Sequence, residues 1–174
     1  MGRTEITLRD AVPEDIGNLA ELHVRAFDQA HGPGPDVSLR ERQWRDKLSL
    51  PDALLFCIVL EEPHGSLIGF ASGELHRSDE PSAFRGVLDK IYLLREYHRQ
   101  GLGRRLLCTA AHRFLAQGID SMLLFGDARS PTNGFYEAMG GVRLHDPRGE
   151  FHGAYGWRDL RGLSAICPGL SSTA

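Results

Sequence analysis

One segment of the sequence combines residue types that could bind an anionic ligand. An apolar stretch is followed by a short basic loop, by Gly101 and Gly103, and by an apolar pattern of helical spacing from Leu102 onward. A helix N-terminus offers unpaired backbone N–H groups and about half a positive charge, which favours phosphate. The same pattern is also common at the start of helices that bind no ligand, and arginine pairs on helices often lie on solvent-exposed faces. Four arginines add local positive charge: Arg95, Arg99, Arg104 and Arg105.

Two better-known nucleotide motifs do not fit this segment. A dinucleotide-binding fingerprint requires Gly or Ala at position 106, where the sequence has Leu106. A Walker loop requires Gly-Lys followed by Ser or Thr after four intervening residues, and no stretch matches that spacing. Nucleotide hydrolysis and dinucleotide redox chemistry are therefore disfavoured.

Composition limits the classes of protein that the chain could represent. It has 174 residues, of which 41% are hydrophobic and 25% charged, as is typical of one globular domain. The net charge of −3 gives no support for binding to nucleic acid. The longest apolar run, 53–60, is too short to span a bilayer. We therefore expect neither a nucleic-acid nor a membrane partner.

The cysteines and histidines do not form a recognisable metal or disulfide pattern. Cys57, Cys108 and Cys167 are odd in number and widely separated, which fits a reducing compartment and argues against a disulfide scaffold. The eight histidines contain no His-x-x-x-His spacing. His23 lies on the apolar stripe of the first helix, and we expect it to be a satisfied core residue. The sequence thus predicts a cytoplasmic protein without a metal site.

Alternating strands and helices must position the anion-binding segment. The alternation predicts a single domain of mixed α/β class over residues 1–163, with a disordered tail at 164–174. Hydrophobic periodicity predicts strands at 5–9, 53–60, 67–76, 87–94, 121–125, 142–144 and 153–160, and helices at 13–27, 39–48, 102–117 and 132–139.

The loop resembles the acetyl-CoA motif of the GNAT family of N-acetyltransferases. That motif is a strand followed by Arg/Gln-x-x-Gly-x-Gly/Ala, which residues 99–104 match, whereas His98 departs from it. Residues 6–11 with Asp15 are similar to the family's opening strand and helix start, and 135–141 are similar to its Phe-Tyr-Glu segment. Residues 5–160 follow the family's order of elements. The resemblance implies a GNAT-like central mixed sheet with a splayed strand pair, flanked by helices.

The resemblance also implies where acetyl-CoA would bind. In the family, backbone amides of the strand before the loop bind the pantetheine arm, and the loop binds the pyrophosphate. Leu93 N–H would meet the thioester carbonyl. Asn133 would contact coenzyme A or act as a plain helix cap. The implied coenzyme-binding residues are Ile91, Tyr92, Leu93, Arg99, Gln100, Gly101, Leu102, Gly103, Arg104 and Asn133.

Acyl transfer to an amine needs an acid for the departing thiolate and a base for the amine proton. The family's usual acid is a tyrosine that corresponds to Tyr136, although the Phe135–Tyr136 pair could instead only pack into the core. For the base we favour Glu74 over Asp89, and His76 shares the strand face of Glu74. Taken singly, each of these three fits an ordinary surface or edge group better than a base. Without a suitable side chain, a solvent relay would remove the proton.

The sequence thus predicts an N-acetyltransferase that moves acetyl from acetyl-CoA directly to a primary amine of a small molecule or peptide. One alternative is a catalytically silent CoA-binding sensor or interaction domain, and another is a nucleic-acid module with salt-dependent binding. The acceptor pocket is expected from 27–48 and the segment after His76. The sequence leaves open whether the chain forms a homodimer. Acidic residues suit a cationic amine, although solvated loops are acidic too: Asp28, Asp36, Asp79 and Glu80.

Overall fold

The computed structural model describes residues 5–79 and 83–168, which form seven strands and four α-helices. The strands are β1 Thr7–Asp10, β2 Phe56–Glu61, β3 Leu67–Leu75, β4 Gly86–Leu93, β5 Met122–Leu124, β6 Val142–His145 and β7 Phe151–Trp157. The helices are α1 Ile16–His31, α2 Val37–Ser49, α3 Leu102–Ala116 and α4 Asn133–Ala138. Within these residues, no helix has both the length and the apolar character needed to cross a membrane.

The strands form one sheet with helices on both faces. Their order is β1-β2-β3-β4-β5-β7-β6, and the β4–β5 pair is parallel while the other neighbours are antiparallel. On one face Trp44 of α2 lies edge-on to Phe70 of β3, with ring centroids 5.5 Å apart. On the other face Phe114 of α3 meets Phe56 of β2 at 5.0 Å. The predicted mixed α/β fold is confirmed.

The start of α1 is fixed by a polar network rather than by a simple helix cap. Arg9 on β1 donates to both carboxylate oxygens of Asp15, at 2.7 and 2.9 Å, and to Glu61 at 2.5 Å. Asp15 also accepts the Val12 N–H at 2.8 Å. Hydrogen bonds to these two carboxylates raise the pKa of Arg9, and the Arg9 bonds lower the pKa of Asp15. The network joins β1, β2 and the entry to α1.

A bulge in β4 changes the faces on which its side chains lie. Ser72 pairs with Lys90 and Gly73 pairs with Leu88, so Asp89 is an extra residue opposite the β3 ladder. Consecutive side chains of a regular strand point to opposite faces. Here Asp89 and Lys90 both line one cavity, beside α1 and α2.

Strands β4 and β5 part soon after they meet. Their pairing consists of Gly86 with Met122 and Val87 with Leu123. Beyond Val87, the described residues give β4 no strand partner on that side, whereas its pairing with β3 continues to Leu93. The splayed strand pair implied by the resemblance is therefore present.

Two cysteines are joined although the sequence analysis favoured thiols in a reducing compartment. Cys108 on α3 forms a disulfide with Cys167 across a separation of 59 residues, and their Cα atoms are 5.4 Å apart. Cys57 is a free, buried thiol. The wide separation of the two cysteines in the sequence did not indicate this bond, because the fold brings the segment around Cys167 back against α3. The cytoplasmic location stays a prediction, and this bond counts against it.

The end of the chain differs in detail from the predicted elements. The last strand was predicted to reach residue 160, but β7 ends at Trp157 and a 3-10 helix follows at Leu160–Ala165. Cys167 is fully buried. The described residues thus extend past the expected boundary at 163 to Pro168, and the domain bounds stay a prediction. The rest of the predicted tail, 169–174, lies outside the described residues.

Candidate active site

The N-terminus of α3 presents open backbone donors. Gly101 precedes the helix with φ of 81°, a left-handed conformation that favours glycine. The first intrahelical bond runs from Arg105 N–H to the Gly101 carbonyl, at 3.0 Å. The amides of Leu102, Gly103 and Arg104 consequently have no acceptor within the helix. Open donors of this kind suit an anion, and the binding of one here stays a prediction.

The arginines contribute less to this site than their number suggests. Arg99 is exposed, with φ of 60°, and extends from the loop into solvent. Both Nε and Nη2 of Arg104 donate to the Ile166 carbonyl. Arg105 donates to the Ile6 carbonyl at 2.7 Å. Two of the four guanidinium groups therefore hold the chain ends in place, while the Arg104 backbone amide stays at the helix start.

A groove lies beside this helix start. Its volume is about 620 Å³, and it lies against the Cys108–Cys167 disulfide. Gln100 is exposed in the loop that leads to it, and its side chain bonds the Glu96 carbonyl at 3.4 Å. The residues lining the groove are Gly101, Arg104, Arg105, Cys108, Thr109, His112, Cys167 and Pro168.

The open edge of β4 carries amides that have no backbone partner within residues 5–79 and 83–168. Leu94 N–H donates to the Ile68 carbonyl at 3.0 Å. Backbone groups alternate sides along a strand. The N–H and C=O groups of Tyr92 therefore point to β3, whereas those of Ile91 and Leu93 point to the open edge. His98 Nε2 donates to the Leu93 carbonyl at 2.9 Å, because a carbonyl oxygen can only accept. His98, the residue that departs from the family motif, thus ties the loop to this edge.

Tyr136 on α4 is packed among aromatic rings. Its centroid lies 5.6 Å from Phe135, 5.5 Å from Tyr155 and 6.5 Å from Trp157. Burial raises the pKa of Tyr136 to about 12, and the nearby Tyr92 adds to this effect. The phenol is therefore protonated at neutral pH, as a proton donor must be. Core packing and a chemical role are both compatible with this position.

Asn133 is buried at the first turn of α4. Its Nδ2 donates to the carbonyls of Asp127 and Ala128, at 3.1 and 3.0 Å. Its Oδ1 has no partner among the described residues. The side chain therefore holds the loop after β5, and one acceptor remains for a ligand.

A second cavity opens on the face of the sheet that carries α1 and α2, next to the end of β5. Its volume is about 330 Å³, and α1, α2 and β4 enclose it. Phe125, which follows β5 and is 70% exposed, forms part of its wall. Tyr92 also lines it. From the region expected for the acceptor, 27–48 with the segment after His76, Phe27 and Arg40 line this cavity, whereas most of the other lining residues belong to β4.

The three candidate bases occupy different environments. Glu74 is half-buried on β3, opposite Val87, and does not line the cavity. His76 Nδ1 lies 2.8 Å from the Phe84 carbonyl. Asp89 lines the cavity but contacts Lys47 and Lys90 at 2.6 and 3.1 Å.

The lysines decide the charge state of Asp89. Burial acts to raise the pKa of Asp89, but the Lys47 hydrogen bond and the lysine charges outweigh it and hold the pKa below its usual range. A carboxylate that stays ionised in two ion pairs is a weak base.

Of the acidic loop residues, the three that the structure describes do not line this cavity. Asp28 is exposed and accepts the Gly34 N–H at 3.1 Å, and Asp36 caps α2 by accepting the Leu39 N–H at 2.8 Å. Asp79 is exposed as well. Glu80 lies outside the described residues. Asp28 and Asp36 thus each have a structural role as acceptors of backbone N–H groups.

Sequence reasoning missed two cavity residues, His23 and Arg40. Their side chains are 2% and 7% exposed, and both line the cavity. A signal for Arg40 was present, because it lies four residues before Trp44 and therefore on the same buried face of α2. Its charge concealed that signal. His23 was expected to be satisfied, but its Nε2 has no partner among the described residues.

A cluster of metal-ligand type lies apart from both cavities. Asp146, Glu150 and His152, at the β6–β7 turn, bring one ligand atom each within 4.8 Å of one another. The Asp146–His152 hydrogen bond, at 2.9 Å, lowers the pKa of Asp146 and raises that of His152. These two groups are joined by an exposed hydrogen bond, which becomes an ion pair when His152 is protonated.

Comparison with known proteins agrees with this geometry. A profile of the Acetyltransferase (GNAT) family matches residues 17–141. The chain is 32% identical over 171 residues to "Uncharacterized N-acetyltransferase YuaI" from Bacillus subtilis (strain 168), with 92% of this chain and 98% of that one covered. The fold, the site and these similarities define an acyltransferase. The chain belongs to the GNAT family of acetyltransferases.

Solved structures share the fold. PaiA N-acetyltransferase from Thermoplasma acidophilum, in complex with coenzyme A, aligns with a TM-score of 0.65 at 20% identity, covering 87% of this chain and 98% of that one. A GNAT-family acetyltransferase from Staphylococcus aureus Mu50 aligns with a TM-score of 0.72 at 14% identity, covering 90% and 99%.

Proposed function

We propose that the protein moves acetyl from acetyl-CoA directly to a primary amine of a small molecule or peptide. The observation that carries this proposal is the open edge of β4. Residues of β4 line the cavity of about 330 Å³, which we assign to the acceptor and call the acceptor-side cavity. The C-terminal end of β4 leads through the basic loop to the open amides of α3. An acyl donor bound along this edge would place its thioester beside the cavity.

The chain's own groups fit coenzyme A. The amides of Leu102, Gly103 and Arg104 suit a diphosphate, and a Cβ at Gly101 would meet no atom within 4 Å, so that approach is open. The Leu93 N–H faces the open edge and would donate to the thioester carbonyl oxygen. Such a preorganised donor stabilises the negative charge that develops there. Asn133 Oδ1 offers a further acceptor.

The transfer requires two proton movements. The amine lone pair forms the new C–N bond, and the C–S electron pair leaves with sulfur. An ordinary lysine-like amine has a pKa of about 10.4 and first loses one proton to solvent. Glu74, which does not line the cavity, takes through water the second proton, which the nitrogen loses as the C–N bond forms, and passes it to solvent. Tyr136 donates a proton to the departing sulfur and recovers one from solvent.

Thiol release from acetyl-CoA across a panel of primary amines tests the proposal. We expect release that depends on the amine, with a mass increase of one acetyl group in the product. Calorimetric binding of coenzyme A without release for any amine would instead favour the silent CoA-binding alternative. No heat with coenzyme A at several temperatures would contradict the anion site itself.

The base is tested separately, through pH–rate profiles of Glu74→Gln and Asp89→Asn. We expect Glu74→Gln to change the profile, because its carboxylate would no longer accept the amine proton. Glu21→Gln, at an exposed position on α1, is the matched control. Profiles that neither variant changes would exclude both carboxylates and leave a solvent relay.

A further inference from the structure

The acceptor-side cavity contains two buried donors without acceptors. Arg40 Nη1 donates to Gln43 at 3.2 Å, but Arg40 Nε has no partner among the described residues. His23 Nδ1 lies 3.2 Å from the Trp44 indole nitrogen. An indole N–H can only donate, so Nδ1 accepts and the ring proton is on Nε2. That Nε2–H is likewise buried and unpartnered.

Unpaired buried donors are costly, and native structures rarely retain them. Both donors belong to side chains that line the same cavity. A ligand that supplies oxygen acceptors would satisfy them. Neither donor can bind the protonated form of an amine, because both present N–H groups.

The charge of the cavity points to the same ligand chemistry. Arg40, Lys90 and Asp89 line it, and Lys47 contacts Asp89 from α2. Three cations thus lie in or beside the cavity with one carboxylate, Asp89, which contacts the two lysines. Burial and the charges of Arg40 and Lys90 lower the pKa of His23 to about 3, so its ring is neutral and adds no further charge. The excess is positive, which favours an anionic ligand rather than a polycationic amine.

We propose that the acceptor is a small amino carboxylate, whose carboxylate binds Arg40 and His23 while its amino group reaches the open edge of β4. This inference rests on the proposed acetyl transfer. The cavity volume of about 330 Å³ is at the low end of small-molecule sites, roughly 300–1,000 Å³, and suits a free amino acid. Phe27 and Tyr92 offer aromatic surface for its side chain.

Matched acceptors test the proposal on the wild-type protein. Thiol release from acetyl-CoA is compared for L-phenylalanine and phenethylamine, L-lysine and cadaverine, and L-methionine and 3-(methylthio)propylamine. We expect at least one acid to exceed its decarboxylated amine by roughly 10- to 100-fold in kcat/KM, the value of hydrogen bonds to a charged group. Amines that react as well as the acids would overturn the inference while leaving acetyl transfer standing.

The variant Arg40→Gln assigns the effect to one side chain. It should remove most of the preference for the acid over its amine, and Arg40→Lys should restore part of it. Arg42→Gln, at an exposed position on the same helix, is the matched control and should keep the preference. Arg40→Lys also covers the case in which Arg40→Gln does not fold. Equal losses for acid and amine would contradict a carboxylate contact.

A binding measurement separates the two proposals. N-acetyl-L-phenylalanine and N-acetylphenethylamine are titrated into the protein by calorimetry in the presence of coenzyme A. Tighter binding of the acid, lost in Arg40→Gln, would support the carboxylate site even if acetyl transfer were never observed. Equal binding of the two compounds, or a preference unchanged in Arg40→Gln, would overturn the site.

Discussion

Two neighbouring tyrosines illustrate how position decides the role of a side chain. Tyr136 and Tyr155 have ring centroids 5.5 Å apart, and both are packed into the core. Tyr155 donates to Glu137 Oε1 at 2.8 Å, which gives its hydroxyl a structural partner. Tyr136 lies on α4, whose Phe135 packs within 3.5 Å of the position of a Cβ on Gly103. Tyr136 is therefore the tyrosine whose helix packs against the start of α3.

The substitution Tyr136→Phe tests this difference. We expect kcat to fall by about 100-fold or more, because general acid catalysis contributes roughly 10²–10⁴-fold, while coenzyme A affinity is retained. Tyr155→Phe makes the same chemical change next to it. It should cost about 1 kcal/mol of unfolding free energy for the lost hydrogen bond and leave turnover within a few-fold. Steady-state kinetics with unchanged turnover would remove Tyr136 from the mechanism.

His23 makes the stability of the protein sensitive to acid. Its pKa is about 3 in the folded chain, mainly because it is buried, against 6.5 for an ordinary histidine. Below pH 6.5 the unfolded chain takes up a proton that the folded chain rejects, so stability falls as the pH falls. Between pH 7.5 and 5 this one group should cost about 2 kcal/mol, at about 1.4 kcal/mol per pH unit of difference.

Urea unfolding of His23→Gln at these two pH values checks the prediction. The variant should lose less stability on acidification than the wild type by about that amount. His64→Gln, at an exposed position in the turn after β2, is the control and should behave as the wild type does. Equal losses in His23→Gln and wild type would show that His23 is not the sensitive group.

At the scale of elements, Gly101 determines how α3 begins. Its φ of 81° is costly for any residue with a Cβ, by roughly 1–2 kcal/mol. We expect Gly101→Ala to lower the unfolding free energy by that amount. Coenzyme A affinity should fall about tenfold, because losing one hydrogen bond to a charged group costs about 1.5–3 kcal/mol. Unfolding and calorimetry measure the two effects.

Gly17 provides the matched control for Gly101. It lies in α1, is exposed, and a Cβ there would meet no atom within 4 Å. Gly17→Ala should raise the unfolding free energy by up to about 1 kcal/mol, since alanine favours helix, and should leave coenzyme A affinity unchanged. If both variants weakened coenzyme binding equally, the loop geometry would not be the cause.

The strand–loop–helix segment could be predicted from the sequence because its signals are local. Glycines, a basic loop and helical spacing follow each other within about twenty residues. The bulge at Asp89 could not be predicted, because the apolar pattern of this strand fits a regular pairing with β3 as well as one with an extra residue. For that reason the sequence placed Asp89 beside the site but not together with Lys90 on one face. Arg40 was overlooked because a charged residue on a charged helix is ordinarily solvated.

At the scale of the whole molecule, the disulfide closes a long loop. Cys108 and Cys167 are 59 residues apart, so the bond restricts much of the C-terminal half in the unfolded chain. The chain-entropy relation gives about 4 kcal/mol for such a loop, within the usual 2–4 kcal/mol. Reduction should therefore lower the unfolding free energy by an amount of that order, which is measured as a lower urea midpoint. The same reductant should not affect Cys167→Ser, and a wild-type midpoint insensitive to reductant would contradict the bond.

The one-sided pairing of β4 divides its amide protons into two interleaved classes. Protons of Lys90 and Tyr92 point toward β3 and should exchange slowly with deuterium, whereas those of Ile91 and Leu93 lack a strand partner and should exchange quickly. Coenzyme A should slow the second class selectively. Residue-resolved hydrogen–deuterium exchange, measured with and without coenzyme A, would thus show where along β4 the acyl donor binds before any acceptor is known.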